Sequence, residues 1–377
     1  MRKRYSDIMS AKTPAVLVLE NGQYFEGFSF GAERDALGEV CFNTSMAGYQ
    51  EILTDPSYSG QLVTLTYPMI GNYGVHPDYS QSSKIQAEAL IVKRYVNHPS
   101  NHMAEMTLQE YLIEQNTPAI ERIDTRKLVL TLRNEGAMRG GLFPGQRYSE
   151  GLLEKVRSIP QMLGQDLVSR VSVEKPYVFG AQGGKYRIAV MDFGVKTNIL
   201  RYLNESGFEV HVFPASTPLD QLNDFDCYFL SNGPGDPEPV TYAVETAKGL
   251  LATGKPVFGI CLGHQIIGLA RGWKTFKLKF GHRGGNQPVK EMKSGRVEIT
   301  AQNHGFAVEA NEKEGNLKVS HVNLNDRTIE GFYNDDSYLI TVQHHPEASP
   351  GPNDSAHMFK DFFSLVEQYY QKNEKAS

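Results

Sequence analysis

From Tyr186 onward the chain keeps to one grammar: a short, nearly continuous apolar run over residues 187–192, helical spacing over 197–206, then a second apolar run over 208–213. Strands buried on both faces read as such runs, and two of them joined through a helix lie parallel, so the stretch predicts a βαβ unit. Further strands fit residues 227–231 and 256–260, with a helix over 240–252 between them. The fold class expected of this half is α/β, a doubly wound, mostly parallel sheet. Ligands of such a sheet sit at the carboxyl ends of its strands.

The residues before it follow a different pattern. Short alternating runs at 16–19 and 23–25 flank Asn21-Gly22, a strong hairpin signal, and β-like segments recur at 38–42, 61–67 and 87–96. Helical patterns follow at 106–115 and 124–134, the second with Asp124 or Thr125 to cap its start and Gly136 to end it. This predicts a β-rich α+β domain over residues 1–150. Periodicity weakens from about residue 146 to 186, where Gly180-Ala181-Gln182-Gly183-Gly184-Lys185 has the small, polar character of a connector; 151–186 is read as the connecting segment, and the second domain is expected over 187–377.

Composition narrows the class of partner. The 377 residues carry a formal charge of -5 and no long basic run, which argues against nucleic acid and for small molecules and protein. Met1-Arg2-Lys3-Arg4 is basic like the start of an export signal, but the polar Tyr5-Ser6-Asp7 stands where its apolar segment would begin. The most apolar stretch, residues 256–262, is far below the roughly 18 residues a membrane helix needs. Cys41, Cys227 and Cys261 offer neither a disulfide framework nor a CxxC metal pair. A soluble, cytoplasmic protein is expected.

Gly259-Ile260-Cys261-Leu262-Gly263 has the form of a nucleophile elbow, with cysteine in place of serine, between a predicted strand and a helix over 264–270. Small neighbours let the backbone bend and the helix approach the sheet, while the helix start favours thiolate over thiol. Free cysteines are mostly small buried hydrophobes, and Cys41 and Cys227 are read so. A cysteine nucleophile needs a base and the base an orienter. Gln343-His344-His345-Pro346-Glu347 supplies both, since residues two apart on an extended segment face one way and Glu347 can hold the imidazole of His345. A metal pair at His344-His345 is the competing reading, but adjacent residues diverge and no third ligand stands at a recognisable spacing. No metal is expected. For the oxyanion, the N–H of Leu262 is one donor, and the loop Ser231-Asn232-Gly233-Pro234-Gly235-Asp236 offers glycine amides as a second.

With Cys-Leu-Gly-His-Gln, Ser-Asn-Gly-Pro-Gly-Asp-Pro and His-His-Pro-Glu-Ala on the page, the chain resembles class I (triad) glutamine amidotransferases over roughly residues 187–370. The first domain narrows the resemblance. Residues 41–51, 53–58 and 71–74, together with Gly281-His282-Arg283-Gly284-Gly285-Asn286 and 302–306, are similar to carbamoyl phosphate synthetase small subunits, nearly end to end. The resemblance implies Cys261 as nucleophile, His345 as base and Glu347 as its partner. It implies glutamine held by Ser45, Gly233, Gly235, Leu262, Gln265, Asn303, Gly305 and Phe306. Ser45, Gln265 and the Asn303 loop rest on the resemblance alone; by themselves they read as a loop residue, a polar helix position and a turn.

The reaction so implied is hydrolysis of L-glutamine through a γ-glutamyl thioester on Cys261, releasing ammonia along a guarded route to a second active site. There is no G-x-x-x-x-G-K-[ST] phosphate loop, so ATP and bicarbonate chemistry falls to another polypeptide. The resemblance implies a large synthetase subunit that uses ATP and its metal ions, in a heterodimer or a higher assembly of heterodimers, feeding arginine synthesis, pyrimidine synthesis or both. No cofactor is expected in this chain. The rival readings are the glutaminase of another amidotransferase, a free-standing hydrolase of γ-glutamyl compounds, and a regulatory subunit that binds glutamine without cleaving it.

Overall fold

The computed structural model describes residues 12–311, 317–334 and 337–375. The basic start Met1–Arg4 lies outside the described residues. The chain divides into two compact units, one of residues 1–54 and 60–161, the other of 55–59 and 162–377.

The first unit comprises β1 (Pro14–Leu19), β2 (Tyr24–Ser29), β3 (Ala36–Asn43), α1 (Tyr49–Thr54), β4 (Gln61–Leu65), β5 (Met69–Ile70), β6 (Ala89–Ile91), β7 (Arg94–Tyr95), α2 (Leu108–Glu114), β8 (Ala119–Glu121), α3 (Thr125–Glu135), β9 (Met138–Pro144) and α4 (Glu150–Ser158). Seven strands close into a barrel in the order β1-β2-β8-β6-β4-β3-β9, which leaves no open sheet edge. Leu17, Val40, Leu62, Ile91, Ile120 and Leu142 alternate into one buried cluster, as period-2 strands require. The expected hairpin forms: β1 and β2 pair antiparallel and Gly22 takes a φ of 88°, the left-handed conformation its turn demands. The run expected over 87–96 is instead split into β6 and β7, which pair in different sheets. Asp124 caps α3 by accepting from the Lys127 N–H at 3.0 Å, and Gly136 ends it with a φ of 106°. The helix α4, within the stretch of weak periodicity, buries Leu152, Leu153 and Val156 with Val16, Val18 and Phe143.

The second unit holds β10 (Tyr177–Phe179), β11 (Tyr186–Asp192), α5 (Thr197–Glu205), β12 (Phe208–Pro214), β13 (Cys227–Leu230), α6 (Thr241–Ala252), β14 (Val257–Ile260), α7 (Leu262–Ala270), β15 (Lys274–Glu291), β16 (Val297–Glu309), β17 (Lys318–Asn323), β18 (Ile329–Asn334), β19 (Leu339–Val342) and α8 (Met358–Glu374). Its strands make one sheet, ordered β10-β12-β11-β13-β14-β19-β18-β17-β15-β16. The run β12-β11-β13-β14-β19 is parallel, as the alternation of strand and helix predicts. Both of its faces are covered: Met191, Leu230, Ile266 and Ile267 lie in one core cluster, Val190, Phe229, Phe258 and Phe359 in another. Beyond β19 the sheet continues antiparallel, ending in the long β15–β16 hairpin. That extension has no clear strand pattern in the sequence, yet it carries Asn303 to the end of β14.

Candidate active site

Cys261 follows directly on β14 and precedes the first residue of α7, with φ 52° and ψ -104°. Side chains rarely adopt that backbone, and holding one there costs about 1–3 kcal/mol that the surroundings must offset. The Cys261 N–H donates to Val342 O at 2.8 Å and the Gly263 N–H to Ser231 O at 2.9 Å, so neighbouring strand ends clamp the turn. The two flanking glycines are required by space. A Cβ on Gly259 would come within 2.5 Å of Ile267 Cδ1, and one on Gly263 within 2.0 Å of Leu230 O. The resulting sulfur is buried, at the start of a helix, 3.7 Å from the carbonyl oxygen of Asn303.

His345 and Glu347 meet as expected, by a different local geometry. His345 is bridged to Ala301, its N–H donating to Ala301 O at 2.9 Å, and the chain then turns, with the Ala348 N–H donating back to His345 O at 3.2 Å. The turn, and not an extended run, brings His345 Nδ1 to 2.7 Å from Glu347 Oε1. Glu347 Oε1 also lies 2.8 Å from Lys196 Nζ. Burial alone would push the imidazole down, but the Glu347 carboxylate and then the Cys261 side chain outweigh it and raise His345 to about 10. Burial alone would raise the Glu347 carboxyl, yet Lys196 and then His345 carry it down to about 2. The shift favours the imidazolium, with Nδ1 held against the Glu347 carboxylate. It is the form able to give a proton to a leaving amine.

Of the expected glutamine residues of the second unit, Leu262 adjoins the cysteine and Asn303 turns its carbonyl to the sulfur. Gly233 stands at the end of β13 so close to the preceding crossover that a Cβ would lie 2.2 Å from Phe193 O, and Gly235 has a φ of 81°. Ser231 and Asn232 hold that loop: Ser231 Oγ accepts from the Phe193 N–H at 2.9 Å, and Asn232 Oδ1 from the Lys196 N–H at 3.2 Å. Leu262 opens α7. One turn into the helix, Gln265 donates through Nε2 to Phe306 O at 2.8 Å and to Gln343 Oε1 at 3.0 Å. Asn303 turns its carbonyl toward the thiol and its amide to Asp55, with Nδ2 2.8 Å from Oδ2. Gly305 has only the tip of Arg283 near its missing Cβ, at 3.3 Å, and Phe306 packs with Met162 and Leu167. Ser45 belongs to the first unit, in the loop after β3, where its N–H donates to Asn43 Oδ1 at 2.7 Å.

Lys196, Asp55 and Gln343 are the contributors that motif reading missed. Lys196 lies just past the carboxyl end of β11, the one signal that pointed to it. Asp55 and Gln343 act only through contacts made in three dimensions. Behind residues 301–306 sits a further buried set. His282, His304 and Glu330 bring ligand-type atoms within 4.8 Å of one another. Here His304 Nδ1 and Nε2 face the oxygens of Phe306 and Gln302 at 2.7 and 2.9 Å, and Glu330 accepts from Gln302 and Asn323 at 2.8 and 3.0 Å. A metal on His304 would have to displace one of those contacts. In this form the set braces the strand that faces the thiol.

Comparison with known proteins gives the family. Residues 17–142 match the family model for the carbamoyl-phosphate synthase small chain, CPSase domain, and residues 189–365 match that for class I glutamine amidotransferase. A protein of Chlorobaculum tepidum named carbamoyl phosphate synthase small chain is 49% identical over 94% of this chain and 98% of its own. Proteins of the same name from Syntrophotalea carbinolica and Aquifex aeolicus are 48% and 46% identical, over 95% and 94% of this chain and 99% of their own lengths. A buried Cys-His-Glu array at the end of a parallel strand, in a sequence alike from end to end, places this chain in the carbamoyl phosphate synthase small-chain family, with a class I glutamine amidotransferase domain as its second half.

Proposed function

We propose that the chain hydrolyses L-glutamine and passes the ammonia to a large synthase chain, which makes carbamoyl phosphate from bicarbonate and ATP. Cys261 Sγ attacks the side-chain amide carbon, and the amides of Leu262 and the Gly233 loop receive the oxyanion. The C–N bond breaks as His345 gives its proton to the departing nitrogen, leaving a γ-glutamyl thioester. Water then attacks the thioester carbon as His345 takes its proton, and the C–S bond breaks to return the Cys261 thiolate and release glutamate. The observation that carries this reading is His345 Nδ1 held 2.7 Å from Glu347 Oε1 beside the strained Cys261.

The remaining assignments are proposals of the same reading. Glutamine is held by Ser45, Gly233, Gly235, Leu262, Gln265, Asn303, Gly305 and Phe306. The functional limits are residues 1–150, a connector over 151–186, and the glutaminase over 187–377. The chain itself uses no cofactor or metal, pairs with the large chain as a heterodimer, works in the cytoplasm, and serves arginine or pyrimidine synthesis. No helix among the described residues is long and apolar enough to cross a membrane. The test is glutamine hydrolysis by wild type and Cys261→Ala, each alone and with the large chain. Hydrolysis that survives in Cys261→Ala removes the proposal; binding of glutamine without any hydrolysis by wild type supports a regulatory subunit instead.

A further inference from the structure

We propose that Gln343 is a positioning residue, which fixes the side-chain amide of Gln265 so that its oxygen, and not its nitrogen, is offered to the substrate. The inference rests on the glutaminase reading above. Gln265 is buried on α7, one turn after the nucleophile. Its Nε2 carries two hydrogens, and both are used: one goes to Phe306 O at 2.8 Å, the other to Gln343 Oε1 at 3.0 Å. Neither contact uses Oε1. Rotating the amide by half a turn would set Oε1 against two acceptors, so the pair of contacts selects one orientation where Phe306 alone would hold it weakly. The oxygen is thereby left as an acceptor for a donor on the substrate.

Gln343 is itself held for this task. It is fully buried just after β19, two residues before His345, and its N–H donates to Glu330 O at 2.8 Å. Its own Nε2 is buried without a hydrogen-bond partner among the described residues. An apolar side chain of similar size would avoid that cost, so packing does not explain a glutamine here. Turning its amide over would place one NH2 against another. What the glutamine supplies at this position is an acceptor.

The experiment is steady-state glutamine hydrolysis by the full chain. Gln343→Leu, which removes the acceptor at similar volume, is expected to raise KM for glutamine about tenfold with kcat within about threefold. Gln343→Glu keeps an acceptor oxygen in the same place and should return KM to near wild type. Because Gln343 acts through Gln265, the double variant Gln265→Met/Gln343→Leu should be no worse than Gln265→Met alone. An unchanged KM in Gln343→Leu, no recovery in Gln343→Glu, or losses that multiply in the double variant would each overturn the assignment. If Gln343→Leu does not fold, Gln343→Met takes its place. Collapse of both, with Gln343→Glu intact, would make the acceptor a requirement of folding and not of substrate positioning, and would also overturn it. Cys261→Ala separates the two proposals: hydrolysis that depends on Cys261 but ignores Gln343 sinks only this one, whereas hydrolysis without Cys261 sinks the reaction on which it rests.

Discussion

Lys196 Nζ lies 2.8 Å from Glu347 Oε1, and both groups are withdrawn from solvent. That contact extends the pair of His345 and Glu347 by a cation, and it explains how a fully buried carboxylate remains charged. Lys196→Met should therefore act on both stability and chemistry. Removing one partner of a buried pair typically costs 3–5 kcal/mol, so a drop of about that size is expected in denaturant unfolding. Glutamine turnover should fall by roughly 10- to 100-fold as the Glu347 carboxyl loses its main stabiliser. Unfolding and turnover both at wild-type level would show the contact to be idle.

The raised pKa of His345 gives the pH dependence its sign. In the proposed reaction the protonated ring is the acid that releases ammonia, so turnover is expected to decline as pH rises through about 10, where the proton is lost. The same shift is a stability statement: present in full below the ordinary 6.5, the contribution fades as pH climbs through about 10. Glu347 works oppositely, stabilising above the ordinary 4.5 and losing that effect as pH falls toward 2. A pH–kcat profile with its alkaline limb near 7 would contradict the assignment.

Glycines of the site should divide by the space behind them. Gly263→Ala would drive a methyl to within 2.0 Å of the Leu230 carbonyl, so a loss of at least ~3 kcal/mol or failure to fold is expected. In Gly305→Ala the methyl meets only the flexible end of Arg283 at 3.3 Å, and the stability change should stay within about 1 kcal/mol. Thermal melting of the two variants side by side checks the contrast.

Asp55 holds the amide of Asn303, whose carbonyl faces the thiol. Asp55→Ala leaves that amide unpaired and lets the 303–306 segment drift. KM for glutamine is expected to rise about 3- to 10-fold, with a smaller change in kcat, because the loss falls on binding. A selective loss of kcat would instead place Asp55 in the chemistry.

Much of this molecule was legible before folding was considered. The parallel strands β11, β12, β13 and β14 showed as apolar runs because a strand covered on both faces has no polar side to display. Cys261 was legible because its two glycines leave a local trace of a turn that nothing larger can make. The antiparallel extension from β15 to β18 was not, since its strands are bulged and interrupt any apolar alternation with buried polar residues such as Arg283, Gln302 and Asn303. The helix α4 leaves little trace in the sequence because its apolar face is short and gains meaning only against β1 and β9.

The sequence by itself determined the elbow at Cys261, the neighbouring His345 and Glu347, and the alternation that makes the second unit a parallel sheet, because each is written in residues close along the chain. Only the tertiary structure decided that Lys196 charges the triad, that Asp55 steadies Asn303, and that Gln343 meets Gln265. Those partners stand far apart in sequence, and a hydrogen bond between distant residues leaves no local pattern until the strands that carry them are laid side by side.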